Sequence, residues 1–262
     1  MLLGLLCFAL YAAASGVIVN GLFHHQGPNR RLSFSLATLA LVLHIIILRG
    51  DIFIEPGQNM SMLNVASLIA WLISLSMLIA SFTMPNTILL PVVFGFTALM
   101  VMLNPLIPDA HIIHVNVRAA LLIHISLALF AYTCLGIALL YAMQLSYINL
   151  RLKEKKASLL HSSLPPLMAV ESILFKLLLV GTILLTLSLA SGLVFLENMF
   201  AKEQAHKTVL SIMAWIVYCV ILIGHYRFGW RGKPIVASTI IGSILLTLAY
   251  FGSRFVKEVI LS

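Results

Sequence analysis

Apolar residues run in long stretches broken by short polar connections, eight times along the chain: 2–22, 32–49, 63–82, 87–103, 117–146, 176–196, 208–224 and 235–256. About 20 apolar residues in helical form cross a hydrocarbon core of roughly 30 Å. Inside a bilayer no water satisfies the backbone amides, so such stretches are helices rather than strands. The ten-residue alternating segments of a membrane barrel do not occur. The pattern predicts an all-α, polytopic transmembrane helix bundle of about eight spans. The fourth is the shortest and is bounded by Pro91 and Pro105. No connection is long or polar enough for a second folded unit, so residues 1–262 read as a single integral membrane domain. In the longest connection, Ser146–Phe175, the fifth helix is predicted to run past the membrane through Asn149 into the basic run Arg151–Lys156. It stops at Leu164-Pro-Pro-Leu167, because proline cannot continue a helix interior. Glu171 and Lys176 then precede re-entry.

Composition agrees: 61% of residues are hydrophobic and 9% charged, against about 25% charged in soluble domains. Lys and Arg divide unevenly between the two sides. Ten (Arg30, Arg31, Arg151, Lys153, Lys155, Lys156, Lys176, Arg227, Arg231, Lys233) fall on one side and six on the other. The positive-inside rule puts the ten in the cytoplasm and both termini outside. The expected location is a bacterial inner membrane, crossed several times. The net charge of +8 is mostly this bias; it suits anionic membrane lipid and requires no nucleic acid. Ala12-Ala13-Ala14-Ser15 resembles a leader cleavage site. No basic segment precedes it, however, and apolar residues continue through Leu22, so a retained helix is expected. Cys7, Cys134 and Cys219 lie within spans, and no Cys-x-x-Cys occurs, which argues against thiol–disulfide exchange.

Nine histidines remain to be placed. His24, His25, His161 and His225 fall at inner connections or helix ends, and His111 and His114 in the outer loop Asn104–Asn116. His44 lies in the outer part of the second span, five residues before Arg49. His124 follows Arg118 by six residues, some 9 Å in at about 1.5 Å per residue. His206 precedes the seventh span, also outside. Histidine is costly within a bilayer and rarely idle there, and neutral imidazole ligates haem iron. Imidazoles from separate spans near one face predict an outward-open pocket, with His124 and His44 as metal ligands and His206 as a further candidate. Each residue also has a structural reading. His44 and His124 would be core histidines hydrogen-bonded to a neighbouring helix, or to Ser126 for His124; His206 would be a polar helix start. The amides Gln58 and Asn59, in a polar stretch that also caps the third span, either serve that cap or contact a ligand's carboxylates. Trp71 and Trp215 either pack or lie flat against a planar ring. Zinc would want a closed tetrahedral set with thiolate or carboxylate, and Asp109 alone is near.

The stretch from His124 to Tyr132, with Ala142 and Gln144, resembles the His-x-x-x-x-x-x-x-Tyr helix of the cytochrome c assembly family. Leu164-Pro-Pro-Leu167 with Glu171 is similar to its following connector. Ser211, Trp215, Tyr218, Gly229-Trp-Arg-Gly-Lys233 and Tyr250-Phe-Gly252 resemble the last helix pair of its HemX-like and YpjD-like branch, related to CcsA and CcmC. The resemblance covers roughly residues 117–256. The tryptophan-rich loop with an aspartate found in haem-delivering relatives has no counterpart in Asn198–Lys207.

This resemblance implies a haem-binding inner-membrane protein that assists haem trafficking or cytochrome c assembly. The haem would be b-type and held by histidine at the outer leaflet. His124 would give one axial bond and His44 or His206 the other; Arg118, Gln58, Asn59 or Lys207 would hold the propionates. No enzymatic activity is expected, since redox chemistry belongs to the cofactor. Expected partners are haem, membrane lipid and other membrane proteins of cytochrome biogenesis. The alternative is a membrane scaffold or regulatory subunit, or a small-solute carrier, with histidines satisfied structurally. A carrier would show matched repeats or broken helices, and none is visible. A hydrolase would need acids inside the spans or His-Glu-x-x-His, and the eight stretches contain neither.

Overall fold

The computed structural model describes residues 2–22, 24, 27–54, 57–104, 112–113, 119–153, 165–195 and 205–252. These form α1 (Leu2–Leu22), α2 (Arg30–Ile52), α3 (Met62–Ala80), α4 (Leu90–Leu103), α5 (Ala119–Lys153), α6 (Leu167–Phe195), α7 (Ala205–Phe228) and α8 (Lys233–Thr247), the last prolonged by a π-helical turn, Leu248–Gly252. Seven of the eight are long and apolar enough to cross a membrane. The exception is α4, with 14 residues, or about 21 Å at 1.5 Å per residue. Its apolar stretch begins at Thr87, but the first residues are used in a turn anchored by Asn86. The Asn86 carbonyl accepts from the amides of Leu89 and Leu90, while its side chain donates to the carbonyl of Met77 at 2.7 Å. Pro91 then fits the first helical turn, where no amide hydrogen is needed.

The chain clusters into two compact units: residues 1–115 with 151–165, and residues 116–150 with 166–262. In the first, α1 buries Cys7, Tyr11, Ala14, Ile18 and Gly21. That three-and-four spacing forms one stripe, which packs on α2 and α4. Between helices in lipid, close approach and hydrogen bonds do the work that apolar burial does in water. Accordingly the Cys7 thiol donates to the Ala40 carbonyl at 3.5 Å, and the Ser15 hydroxyl to that of Pro91 at 3.1 Å. Ser74 and Thr97 tie α3 to α4 at 2.7 Å. Asn29 caps α2 by accepting from the Leu32 amide, and Ser61 caps α3 by accepting from that of Asn64, as the polar stretch before α3 suggested.

A three-stranded antiparallel sheet, absent from the sequence expectation, stands in this unit. Its strands are β1 (Phe53–Ile54), β2 (Gly57–Asn59) and β3 (Ile112–Ile113), in that order. Phe53 pairs with Gln58, and Asn59 with Ile112. The connection between α4 and α5, expected to be a loop, therefore contains a strand.

In the second unit, α5 extends for 35 residues, about 52 Å, well past a hydrocarbon core. It carries the helix into the basic run as the sequence indicated. α6 starts immediately after Pro165-Pro166. It therefore includes Glu171, so an acidic residue does stand in a membrane-length helix, contrary to the boundary of 176 read from apolar character alone. The Glu171 carboxylate meets Arg231 Nε at 3.3 Å. Arg231 lies in the turn between α7 and α8, which Gly229 opens at φ 67°, a left-handed conformation that glycine adopts at no steric cost.

Candidate functional site

His44 is 1% exposed. Its Nε2 shares a hydrogen bond with Ser67 Oγ at 2.9 Å and its Nδ1 with Tyr11 Oη at 3.3 Å. One nitrogen donates and the other accepts, so the ring ties α2 to α3 and α1 with both polar positions in use. Tyr11 also stands edge-on to it, with ring centroids 5.8 Å apart. Ligation through either nitrogen would require one of these bonds to break.

His124 is arranged differently. Its Nδ1 lies 3.0 Å from the Ser188 carbonyl oxygen and 3.1 Å from Ser191 Oγ. A carbonyl can only accept, so Nδ1 carries the hydrogen. Ser191 donates its own proton to the same carbonyl at 2.8 Å, and its oxygen is thereby turned to accept from the imidazole. This fixes the tautomer: Nε2 bears a lone pair, and no hydrogen bond to it is formed among the described residues. A ring nitrogen held through Nδ1–H by a backbone carbonyl, with Nε2 open, is the usual arrangement of a metal-ligating histidine.

Antiparallel register locates the neighbours in this unit. His124 stands opposite Ser188–Ser191, and Leu135 opposite Gly181, where a Cβ would come within 2.7 Å of the leucine side chain. Trp215 Nε1 donates to Thr186 Oγ1 at 2.8 Å, and His225 stacks on Phe175 with centroids 3.4 Å apart. The same register sets His206, exposed at the start of α7, level with residues 194–195. That is roughly 5 Å farther along α6 than Ser191 and roughly 10 Å farther than Ser188. Thr186 and Ser188 are two residues apart, about 200° around the helix, so Trp215 and His124 attach to opposite flanks of α6.

The remaining candidates are committed in varying degree. Trp71 Nε1 donates to the Leu41 carbonyl at 2.9 Å, joining α3 to α2. Asn59 is 0% exposed. Its side-chain oxygen accepts from the Ser61 amide, and its backbone carbonyl accepts from Asn64 Nδ2, so it organises the entry to α3 rather than forming a rim. Gln58 is half-buried in β2. Arg118, together with His111 and His114, lies outside the described residues. Among the described residues no group of three or more His, Cys, Asp or Glu converges as a metal site. The sequence reading missed Ser188 and Ser191, which orient His124, and Tyr11 and Ser67, which hold His44. Two serines three apart near the C-terminal end of an apolar helix were the available signal. Farther along α5, the Tyr141 hydroxyl and the Gln144 amide, three residues apart, are buried and have no hydrogen-bond partner among the described residues.

A family described as "Cytochrome C assembly protein" matches residues 32–261. The chain belongs to the cytochrome c assembly family. The match begins well before residue 117, so α2–α4 belong to the family region along with α5–α8. The chain is 42% identical to inner membrane protein YpjD of Escherichia coli K12 over 258 residues, 98% of each chain. It is 22% identical to protein HemX of Brevibacillus brevis over 249 residues, 93% of this chain and 92% of that one. It is 28% identical to cytochrome c biogenesis protein CcsA of Prochlorococcus marinus MIT 9301 over 158 residues, 52% of this chain and 50% of that one. No solved structure matches. The protein is thus a multi-pass inner-membrane protein. Family membership supports a role in cytochrome c biogenesis with involvement of haem.

Proposed function

We propose that the protein binds b-type haem through His124 and serves haem trafficking or cytochrome c assembly at the outer leaflet. The observation that carries this reading is the Nδ1–H bond of His124 to the Ser188 carbonyl, which leaves Nε2 as an oriented lone pair. The donor chemistry fits a ligand of haem iron. When bound, the haem supplies the redox and ligand chemistry, and the chain supplies position. Ser188 and Ser191 would hold the imidazole plane, the apolar surfaces of α5 and α6 would exclude water, and Lys207 would supply a cation for the propionates. Asn59 takes no part, since its side chain is bonded within the entry to α3. Of the histidines read from the sequence as a second ligand, His206 shares the compact unit of His124. For His44, the two bonds to Ser67 and Tyr11 favour a second reading, an interhelical tie with no ligand role.

The test is the absorption spectrum of the full chain purified in mild detergent, oxidised and reduced, as isolated and after adding haemin. A Soret band that sharpens and shifts on reduction is expected. A colourless protein that gains no Soret band with haemin overturns the proposal.

A further inference from the structure

A cavity of about 570 Å³ in the first unit is lined by Arg30, Arg31, Phe34, Ser35, Ser81 and Phe82. It sits between the start of α2 and the end of α3, on the side that the basic-residue bias assigns to the cytoplasm. Among the described residues its lining holds two guanidinium groups and no carboxylate. Neither arginine has an acidic partner among the described residues, and both are exposed.

The obvious intramolecular acceptors are already taken. Arginine near a helix C-terminus commonly binds the last carbonyls, but those of α3 are occupied by the turn that follows. The Met77 carbonyl accepts from the Ser81 amide at 3.1 Å, the Ser81 hydroxyl at 2.7 Å and the Asn86 side chain at 2.7 Å. The Leu78 carbonyl accepts from the Ser81 amide, that of Ile79 from the Phe82 amide, and that of Ala80 from the amides of Thr83 and Met84. The positive end of α2 adds to the field: Asn29 satisfies the Leu32 amide, while the amides of Arg30 and Arg31 open the helix without a carbonyl four residues back. Two guanidinium forks, a helix N-terminus and the Ser35 hydroxyl thus surround one recess. The edge-to-face rings of Phe34 and Phe82, 5.5 Å apart, form an apolar wall beside it.

We infer that this recess binds a phosphate group at the inner membrane surface, carried by an anionic phospholipid whose acyl chains lie along Phe34 and Phe82. Guanidinium groups match phosphate oxygens in bidentate geometry, and the cytoplasmic leaflet is where anionic headgroups concentrate. A phosphate from solution would use the same donors but leave the aromatic wall unoccupied.

The test uses the full chain, delipidated in mild detergent and incubated with phosphatidylglycerol or phosphatidylcholine, with retained lipid read by native mass spectrometry. Phosphatidylglycerol is retained and phosphatidylcholine is not. The double variant Arg30→Gln/Arg31→Gln binds roughly thirtyfold more weakly, the loss expected for two interfacial charges. Because removing two inner arginines also disturbs topology, Ser35→Trp provides the second arm. It places an indole in the recess, keeps both arginines, and is expected to weaken retention as well. Inorganic phosphate added in competition distinguishes the sources. Displacement of lipid by phosphate alone places the specificity in the phosphate and admits a soluble donor, whereas no displacement assigns the site to lipid. Retention by Ser35→Trp equal to that of the wild type, or equal binding of both lipids by the wild type, overturns the site.

Discussion

Replacing His44 by alanine separates its structural role from ligation. The ring makes two interhelical hydrogen bonds, to Ser67 and Tyr11. Such bonds in membrane proteins average about 0.6 kcal/mol, so the pair contributes about 1.2 kcal/mol. Removing a buried ring also leaves a cavity, which costs at least about 2 kcal/mol where the surroundings relax only partly. The expected total is about 3 kcal/mol, summing the bond and cavity contributions. Ser67→Ala removes one bond and little volume, and should cost about 0.6 kcal/mol, at most near 1.7. The assay is reversible unfolding of both single variants and the double variant in mixed micelles titrated with sodium dodecyl sulfate. If the tie is real, Ser67→Ala adds little to His44→Ala, because the bond it removes is already gone. A His44→Ala protein destabilised by less than about 1 kcal/mol, or a double variant whose costs simply add, would refute the reasoning.

Two further outcomes follow from the second unit. Ser191→Ala leaves Nδ1 of His124 on the Ser188 carbonyl. Haemin affinity, measured by titration of the Soret band, should therefore fall by no more than about tenfold, the mild end of the loss seen when an outer-shell partner is removed; an unchanged tautomer cannot account for a complete loss. Gly224→Ala drives a new Cβ into the Trp230 ring, which lies directly against the glycine. It should destabilise the α7–α8 turn by about 1–3 kcal/mol, read by the same unfolding assay and by Trp230 fluorescence; an unaltered unfolding curve would contradict that packing.

The helices were legible because each is a run of apolar residues with local punctuation. Pro165-Pro166 marks the start of α6, Ser61 caps α3, and the basic run lies at the end of α5. Features that depend on distant partners left no local period. β3 joins β2 across more than fifty residues of sequence through a two-residue pairing, too short to show alternation. Thr87–Leu89 read as part of a span because they are mostly apolar, yet Asn86 holds them in a turn. Glu171 fell outside the apolar stretch while remaining within the helix, since its charge is met by Arg231 from another turn. At the candidate site, His124 stood out because its polarity is rare in such a helix, but its partners come from α6, sixty-four residues away. Asn59 looked available as an amide in a connection; its actual bonds run to Ser61 and Asn64, a choice that local sequence leaves open.

The central proposal is that Nε2 of His124 would ligate haem iron, and its most direct test is chemical rescue. His124→Gly, purified alongside the wild type and loaded with haemin, should lose the wild-type Soret and visible bands. Added imidazole, free to occupy the space of the missing ring, should restore them. A His124→Gly protein that keeps the wild-type haem spectrum without imidazole would contradict the account.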